Sequence, residues 1–205
     1  MAAPAALPRT AATRLRRELL DLARNPDPSF AARPLEEDLL TWHFALHGFP
    51  ADSPYHGGCY HGWLVLPPEY PLQAPSIYMR TASGRFATGE ALCFTMTAFH
   101  PEAWNPAWTV RSILLGFQSL WLDGDLRGKG AMQAPAEERR RLALESWQAN
   151  QRDATFRELF PELLAPPTVA TGAPGGSTGA GGTGAADAGP GTGEEGAADG
   201  EAGAE

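Results

Sequence analysis

Two segments with an alternating pattern of side chains most strongly constrain how this chain of 205 residues can fold. They cover residues 40–47 and 58–66, and in each one large apolar residues face one way while a second set of residues faces the other. A period of two is typical of β-strands with one buried face. Turn-forming residues at 48–53 separate the two segments, and Pro67-Pro68 ends the second. The pattern predicts adjacent antiparallel strands, followed by a third short strand over residues 76–79.

Helical patterns flank these strands. Thr10 or Thr13 is predicted to cap a first helix that runs to about Arg24, with an apolar stripe formed by Leu15, Leu19, Leu20 and Leu22. Thr109 is predicted to cap a very apolar helix, and two further helices are predicted over residues 136–151 and 155–163. A helix, an antiparallel meander and then a group of helices indicate the α+β class.

The composition changes at Pro166. From there to Glu205 the chain consists almost entirely of Gly, Ala, Thr, Pro and six acidic residues. Such a segment buries too little apolar surface to offset its ordering entropy, so we expect one folded domain over residues 1–165 and a disordered tail over 166–205. Outside the tail, 18 acidic residues face 16 basic ones, which is not the basic footprint of a nucleic-acid binder.

The cysteine content argues against metal or disulfide chemistry. Cys59 and Cys93 have no CxxC spacing and no histidine cluster, so we expect no metal site, no cofactor and no disulfide framework. The longest apolar stretch, residues 113–122, has about half the length that a membrane-spanning helix needs. We therefore expect a cytoplasmic chain without a membrane segment.

Cys93 is the candidate nucleophile. It lies in the run ALCFTMTAFHPEAWNPAWT, seven residues before His100 and just ahead of a Pro-rich loop. A thiolate is a strong nucleophile whose reactivity depends on its surroundings, so this placement suggests covalent chemistry. A lone cysteine is also compatible with a small buried packing residue.

The segment YHGGCYHGWLVLPPEYPLQAPSIYM resembles the sheet signature of ubiquitin-conjugating enzymes, in which Tyr-x-Gly-Gly precedes a strand and a Tyr-Pro turn follows it. The matching residues are Tyr55, Gly57, Gly58, Pro67, Tyr70, Pro71 and Pro75. Cys93 stands where the active cysteine of that family follows, and WNPAWTV is similar to the family's Trp-Ser-Pro-Ala-x-Thr segment. The resemblance covers residues 9–164 and implies a four-stranded meander between an N-terminal helix and C-terminal helices.

The chain departs from most of that family in having no His-Pro-Asn motif ahead of the cysteine. Gly84-Arg85-Phe86, Phe99-His100-Pro101 and the Trp104–Trp108 segment are instead similar to the J-type subfamily. That resemblance implies a role in protein quality control at the endoplasmic reticulum, where such enzymes are held by a C-terminal membrane helix. This chain has no such helix, which leaves open a soluble paralogue or a truncated gene model, at the cytosolic face of the endoplasmic reticulum or elsewhere in the cytoplasm.

The resemblance also implies roles at the site. Cys93 accepts ubiquitin as a thioester from the activating enzyme and donates it to a substrate. His100 hydrogen-bonds the oxyanion or serves as base for a hydroxyl nucleophile, although a loop histidine bonded to the backbone is also possible. Ser83 and Thr95 are further donor candidates, Asn105 holds its loop, and Cys59 is a packing or solvent-facing residue.

Partner surfaces follow from the same resemblance. The residues that match the family's ligase-docking loops are Leu72, Pro106 and Ala107. Those that match its basic first helix, which meets the activating enzyme, are Arg14, Arg16 and Arg17. The implied partners are ubiquitin, the ubiquitin-activating enzyme and a ubiquitin ligase.

Two other functions compete with this one. A catalytically inactive, ubiquitin-binding variant of the same fold would lack the cysteine. An unrelated cysteine hydrolase would need an activating histidine and an oxyanion loop at a helix N-terminus, and it would leave the Gly-Gly and Tyr-Pro signature unexplained. One oddity of composition also has two interpretations. Lys129 is the only lysine, which indicates coding bias or selection against self-modification by a chain that carries a lysine-reactive acyl group.

Overall fold

The computed structural model describes residues 7–166, which form one antiparallel sheet and four α-helices. The five strands lie in chain order: β1 (Phe30–Pro34), β2 (Thr41–Leu46), β3 (Tyr60–Val65), β4 (Ser76–Met79) and β5 (Ala91–Leu92). The helices are α1 (Arg9–Arg24), α2 (Val110–Ser119), α3 (Ala136–Arg152) and α4 (Ala154–Leu159), and 3₁₀ turns cover Pro101–Ala103 and Pro161–Leu163. The predicted α+β class is confirmed, and the meander has five strands because the short β5 joins its edge.

The strand pattern located β2, β3 and β4, but it did not locate β1. The sequence of β1, FAARP, has small residues and a proline in place of a clear alternation. Its position comes from pairing with β2, in the register that sets Ala32 opposite Phe44. Proline is tolerated there because β1 is an edge strand.

Both faces of the sheet centre are buried, so the half-buried strand predicted over residues 40–47 is wrong in that respect. Trp42 and Phe44 face the main core, which also contains the apolar faces of α1 and α2. Ala45 faces the other way, into a second cluster with Cys59, Trp147, Phe156 and Phe160. The helices α3 and α4 therefore cover the face that the alternation pattern assigns to solvent.

Two histidines, His43 and His61, form a polar contact next to this second cluster. His43 Nδ1 and His61 Nε2 lie 2.8 Å apart, and His61 is fully buried. On its other side His61 Nδ1 is 4.0 Å from the carboxylate of Asp153, which also pairs with Arg80 and accepts a hydrogen bond from the backbone N–H of Phe156 at the start of α4. These contacts connect the sheet to α4.

The helix α1 begins at Arg9 and ends at Arg24. Its N-cap is Pro8, so the predicted caps Thr10 and Thr13 are wrong; the backbone of Pro8 accepts the first hydrogen bond, from Ala12 N. Leu20, assigned to the apolar stripe, is 52% exposed. The inner face of the helix carries the buried acid Glu18 instead.

The remaining helices follow the predicted pattern with one interruption. Thr109 caps α2 as predicted, in a reciprocal capping box with Ser112. The last predicted helix, residues 155–163, is divided because Pro161 lacks the N–H that the helix would need. None of the helices in residues 7–166 is long and apolar enough to cross a membrane. The predicted tail lies outside the described residues, apart from Pro166.

Candidate active site

Cys93 is half-buried and directly follows β5. Two elements hold its backbone: β5 pairs with β4, and the Cys93 N–H donates a 3.1 Å hydrogen bond to the carbonyl of Lys129. The loop that carries Lys129 approaches closely, since a Cβ at Gly128 would lie 2.8 Å from the Cys93 carbonyl oxygen. The thiol is thus fixed at the sheet edge, between that loop and the segment that leads to His100.

His100 lies beside the thiol, as the sequence predicted. Its Nε2 is 3.4 Å from Cys93 Sγ, and its Nδ1 is 3.1 Å from a carboxylate oxygen of Glu102. The backbone N–H of His100 donates to Thr97 O, within a turn that starts at Phe94. The turn folds the chain back on itself and so brings residues 93 and 100 together.

Glu102 orients the ring of His100. The hydrogen bond from its own backbone N–H, and then the His100 ring, lower the pKa of the Glu102 carboxyl, so this group is ionised near pH 7. A carboxylate only accepts hydrogen bonds, so the His100 Nδ1 that faces it is a donor, and the ring is held with Nε2 towards the thiol. In the neutral form of such a ring, Nε2 can take a proton from the thiol or from a nucleophile that approaches it.

The other predicted donors differ in position. Ser83 is fully buried, and its hydroxyl oxygen accepts from the backbone N–H groups of Arg85 and Phe86, so it stabilises the turn ahead of β5. Thr95 is exposed two residues after the thiol. The role predicted for Asn105 is confirmed, because its side-chain oxygen accepts a 2.9 Å hydrogen bond from Ala107 N within the same loop.

Of the two roles predicted for Cys59, packing or facing solvent, the structure shows packing. It is fully buried under α3, and its backbone N–H donates to Ser146 Oγ. Burial raises the pKa of its thiol to about 12, so the reactive thiolate form is suppressed. Of the two thiols, only Cys93 is accessible.

The structure brings together the two loops predicted to dock a ligase. Leu72 is 75% exposed, and Pro106 and Ala107 are exposed as well. Trp104 links the loops, because its indole N–H donates a 2.8 Å hydrogen bond to Pro71 O. Beside it, a shallow pocket of about 140 Å³ is lined by Leu72, Gln73, Ala74, Ala98, Pro101 and Trp104.

The three arginines predicted to meet the activating enzyme do not share one environment. Arg16 and Arg17 are exposed on α1. Arg14 pairs with Glu18, and its guanidinium donates a 2.8 Å hydrogen bond to Trp108 O. Arg14 therefore also fastens α1 to the loop ahead of α2.

Sequence reasoning missed three residues at or near the site. Glu18 could have been found, because it lies three residues after Leu15 and four before Leu22, on the buried side of α1. Glu102 could have been suspected as a carboxylate two residues from His100. The position of Lys129 beside Cys93 had no local signal, since 36 residues separate them in the chain. No set of three His, Cys, Asp or Glu residues within the described part of the chain could hold a metal.

Comparisons with known proteins identify the family of this chain. The sequence model of the family described as "Ubiquitin-conjugating enzyme" matches residues 14–141. The chain belongs to the ubiquitin-conjugating enzyme family. The matched range includes Cys93, His100, both proposed docking loops and the three arginines proposed to meet the activating enzyme.

Relatives within the ubiquitin-conjugating enzymes confirm the J-type resemblance. Human ubiquitin-conjugating enzyme E2 J2 is 42% identical over 159 residues, which are 77% of this chain and 60% of that protein. The E2 J2-like protein of Dictyostelium discoideum is 40% identical over 151 residues, 74% of this chain and 88% of that one. The solved structure of human E2 G1 is 30% identical, covers 57% of this chain and 97% of its own, and superposes with a TM-score of 0.49. The chain thus spans about three fifths of the length of its human J2 relative.

Proposed function

We propose that this chain is a ubiquitin-conjugating transferase that accepts ubiquitin on Cys93 as a thioester and passes it to an acceptor. The observation that carries the proposal is the pairing of an accessible thiol with an imidazole nitrogen 3.4 Å away. A thioester is activated towards amines and can be formed by exchange from another thioester. Membership of the family and the intact flanks of Cys93 support a charged cysteine over an inactive ubiquitin-binding variant.

The geometry also supports this function over that of a cysteine hydrolase. In such hydrolases, backbone N–H groups stabilise the oxyanion near the nucleophile. Here Cys93 follows a strand and not the N-terminus of a helix, and its own N–H already donates to Lys129 O. This arrangement supports acyl transfer over hydrolysis.

The partners proposed with this function are ubiquitin, the activating enzyme and a ligase. Exposed Arg16 and Arg17 on α1 suit an acidic surface of the activating enzyme. Exposed Leu72, beside the rigid Pro106-Ala107 loop, suits a small apolar hot spot on a ligase. The cellular setting, protein quality control at the cytosolic face of the endoplasmic reticulum, is proposed from the J-type resemblance alone and is tested by co-fractionation with that membrane.

A charging assay tests the proposal. The chain is incubated with activating enzyme, Mg-ATP and ubiquitin, and a thiol-sensitive adduct is scored on non-reducing gels. We expect Cys93→Ser to abolish that adduct, leaving at most a slower, reductant-resistant oxyester. We expect the matched Cys59→Ser to charge almost normally, because its buried thiol has a raised pKa. Loss of charging in Cys59→Ser but not in Cys93→Ser would refute the assignment.

A further inference from the structure

The only lysine of the chain lies next to the proposed thioester. Fifteen of the sixteen basic residues are arginines, and the single exception is Lys129. Its carbonyl accepts the hydrogen bond from Cys93 N, so the two residues are neighbours across adjacent segments of backbone. The backbone of the lysine therefore lies beside the residue that would carry its acyl donor.

The Lys129 loop is anchored on both sides. Ala87 N donates to Gly130 O, and Met132 N donates to Arg85 O, each at 2.8 Å. On the other side, Gly128 has φ +141°, and its close approach to the Cys93 carbonyl leaves no room for a side chain. These contacts hold the backbone of Lys129 in place, so only its side chain has to move for its amine to approach the thiol.

That side chain is exposed and only weakly held. Its ammonium lies 5.4 Å from the centroid of the Phe99 ring, and Phe99 is itself exposed. A cation–π contact at an exposed site is worth about 0.5–1 kcal/mol, which a rotamer change easily overcomes. Among residues 7–166 no carboxylate forms a salt bridge with Lys129.

We propose that Lys129 is an intramolecular acceptor, which takes ubiquitin from Cys93 of the same chain in an isopeptide bond. The inference rests on the proposed charging of Cys93. The neutral amine of Lys129 attacks the thioester carbonyl carbon, the new C–N bond forms, and the C–S bond breaks with Cys93 Sγ as leaving group. The proton lost by the amine returns to the thiolate, directly or through His100 Nε2, which lies 3.4 Å from Sγ.

The position of Lys129 bears on why the chain has a single lysine. A tethered nucleophile reacts as if it were present at very high concentration, so any lysine within reach of a thioester drains the charged state. Of the two interpretations of the composition, selection against self-modification predicts that lysine is excluded near Cys93. Lys129 occupies that place, so the structure favours coding bias together with one retained acceptor.

The experiment is a single-turnover chase. The chain is charged, the activating enzyme is stopped by removal of Mg-ATP, and adducts that resist reductant are followed without any added acceptor. We expect a first-order product whose rate is independent of enzyme concentration and whose ubiquitin remnant maps to Lys129. Lys129→Arg should charge to the same extent and lose at least about nine tenths of that product. Hydroxylamine treatment distinguishes the isopeptide from an ester on a hydroxyl.

A second variant tests the position of the amine. Arg127→Lys in the Lys129→Arg background moves the single lysine by two residues within the same loop, so its product should stay near the level of Lys129→Arg alone. Persistence of the product in Lys129→Arg, mapping to Met1 or to a hydroxyl, or a rate that rises with enzyme concentration would overturn the inference while leaving Cys93 charging intact. Absence of any thioester in the unaltered chain would overturn the proposed function as well.

Discussion

At the scale of single residues, the Cys93–His100–Glu102 arrangement distinguishes between acceptors. A serine or threonine hydroxyl is a weak nucleophile unless a base removes its proton, whereas an amine attacks once it is neutral. The Nε2 atom of His100 is 3.4 Å from the thiol, and in a neutral ring whose Nδ1–H donates to Glu102 it would be the proton acceptor. On the proposed function, we expect the site to use hydroxyl acceptors as well as lysine.

Replacement of His100 tests this preference. We expect His100→Ala to slow discharge of the Cys93 thioester to free serine by about 10²–10⁴-fold and discharge to free lysine much less, because removal of a positioned base costs about that factor. Charging should change little, and His56→Ala, at an exposed histidine away from the thiol, serves as control. Equal slowing with both acceptors would assign His100 to oxyanion or loop support, and no slowing would make it a structural loop residue.

The residues of the site differ in how far the sequence could predict them. Cys93 and His100 were accessible to sequence reasoning because they are seven residues apart in one recognisable motif. Asn105 was predictable because its hydrogen bond to Ala107 is local. The contact of Lys129 with Cys93 depends on how a distant loop returns to the sheet edge, and no local pattern encodes that path.

At the scale of elements, the buried carboxylate of Glu18 joins α1 to α2 and to the Tyr-Pro turn. It accepts hydrogen bonds from Tyr70 Oη at 2.9 Å and from Val110 N, the first residue of α2, at 2.7 Å, and it pairs with Arg14. Burial, and then the Glu18 carboxylate, raise the pKa of Tyr70, so its hydroxyl stays protonated and can donate.

We expect Glu18→Ala to lower the free energy of unfolding by about 3–5 kcal/mol, because three buried or half-buried donors lose their shared acceptor. Urea unfolding followed by circular dichroism measures the change. Asp21→Ala is the matched control on the same helix, since Asp21 is 53% exposed and solvent screens its pairing with Arg111, so its loss should change the free energy of unfolding far less. Similar decreases in the free energy of unfolding in both variants would show that the contacts of Glu18 between α1, α2 and the Tyr-Pro turn add no special stability.

The helices and strands differ in how well a sequence pattern identifies them. The strands β3 and β4 and the helices α2 and α3 have strong periodicity or a clear cap, and each was predicted within a few residues. The strand β1 was missed because pairing with β2, and not its own pattern, defines it. The burial of both faces of β2 follows from where α3 and α4 pack, which is a tertiary property.

At the scale of the whole molecule, the buried histidine pair makes stability depend on pH. Burial, and then the nearby His43, lower the pKa of His61 to about 4, and burial also lowers the pKa of His43. The other charges facing His61 are Asp153, which favours protonation, and Arg80, which opposes it. A folded-state pKa below the unfolded value means that the unfolded chain binds the extra proton.

We therefore expect the neutral His61 to contribute fully to the free energy of unfolding above about pH 6.5, the ordinary pKa of histidine. This contribution should decrease as the pH falls from there towards 4. Melting temperatures across this range measure the fall. His61→Gln should be less stable at pH 7.5 but should lose less on acidification than the unaltered chain. His56→Gln, at an exposed histidine, should leave the profile unchanged. If the melting temperature of His61→Gln depended on pH in the same way as that of the unaltered chain, the assignment to His61 would be refuted.

The hydrogen bond from Cys93 N–H to Lys129 O also has a consequence for the lifetime of the charged state. Water competes with every intended acceptor, and its attack is fastest where the enzyme itself supplies donors to the developing negative charge. Because the Cys93 N–H is already engaged with Lys129 O, this donor would give no help to an attacking water in a charged chain. We therefore expect such a chain to lose its ubiquitin to water slowly compared with its loss to an amine, whether that amine belongs to a substrate or to Lys129.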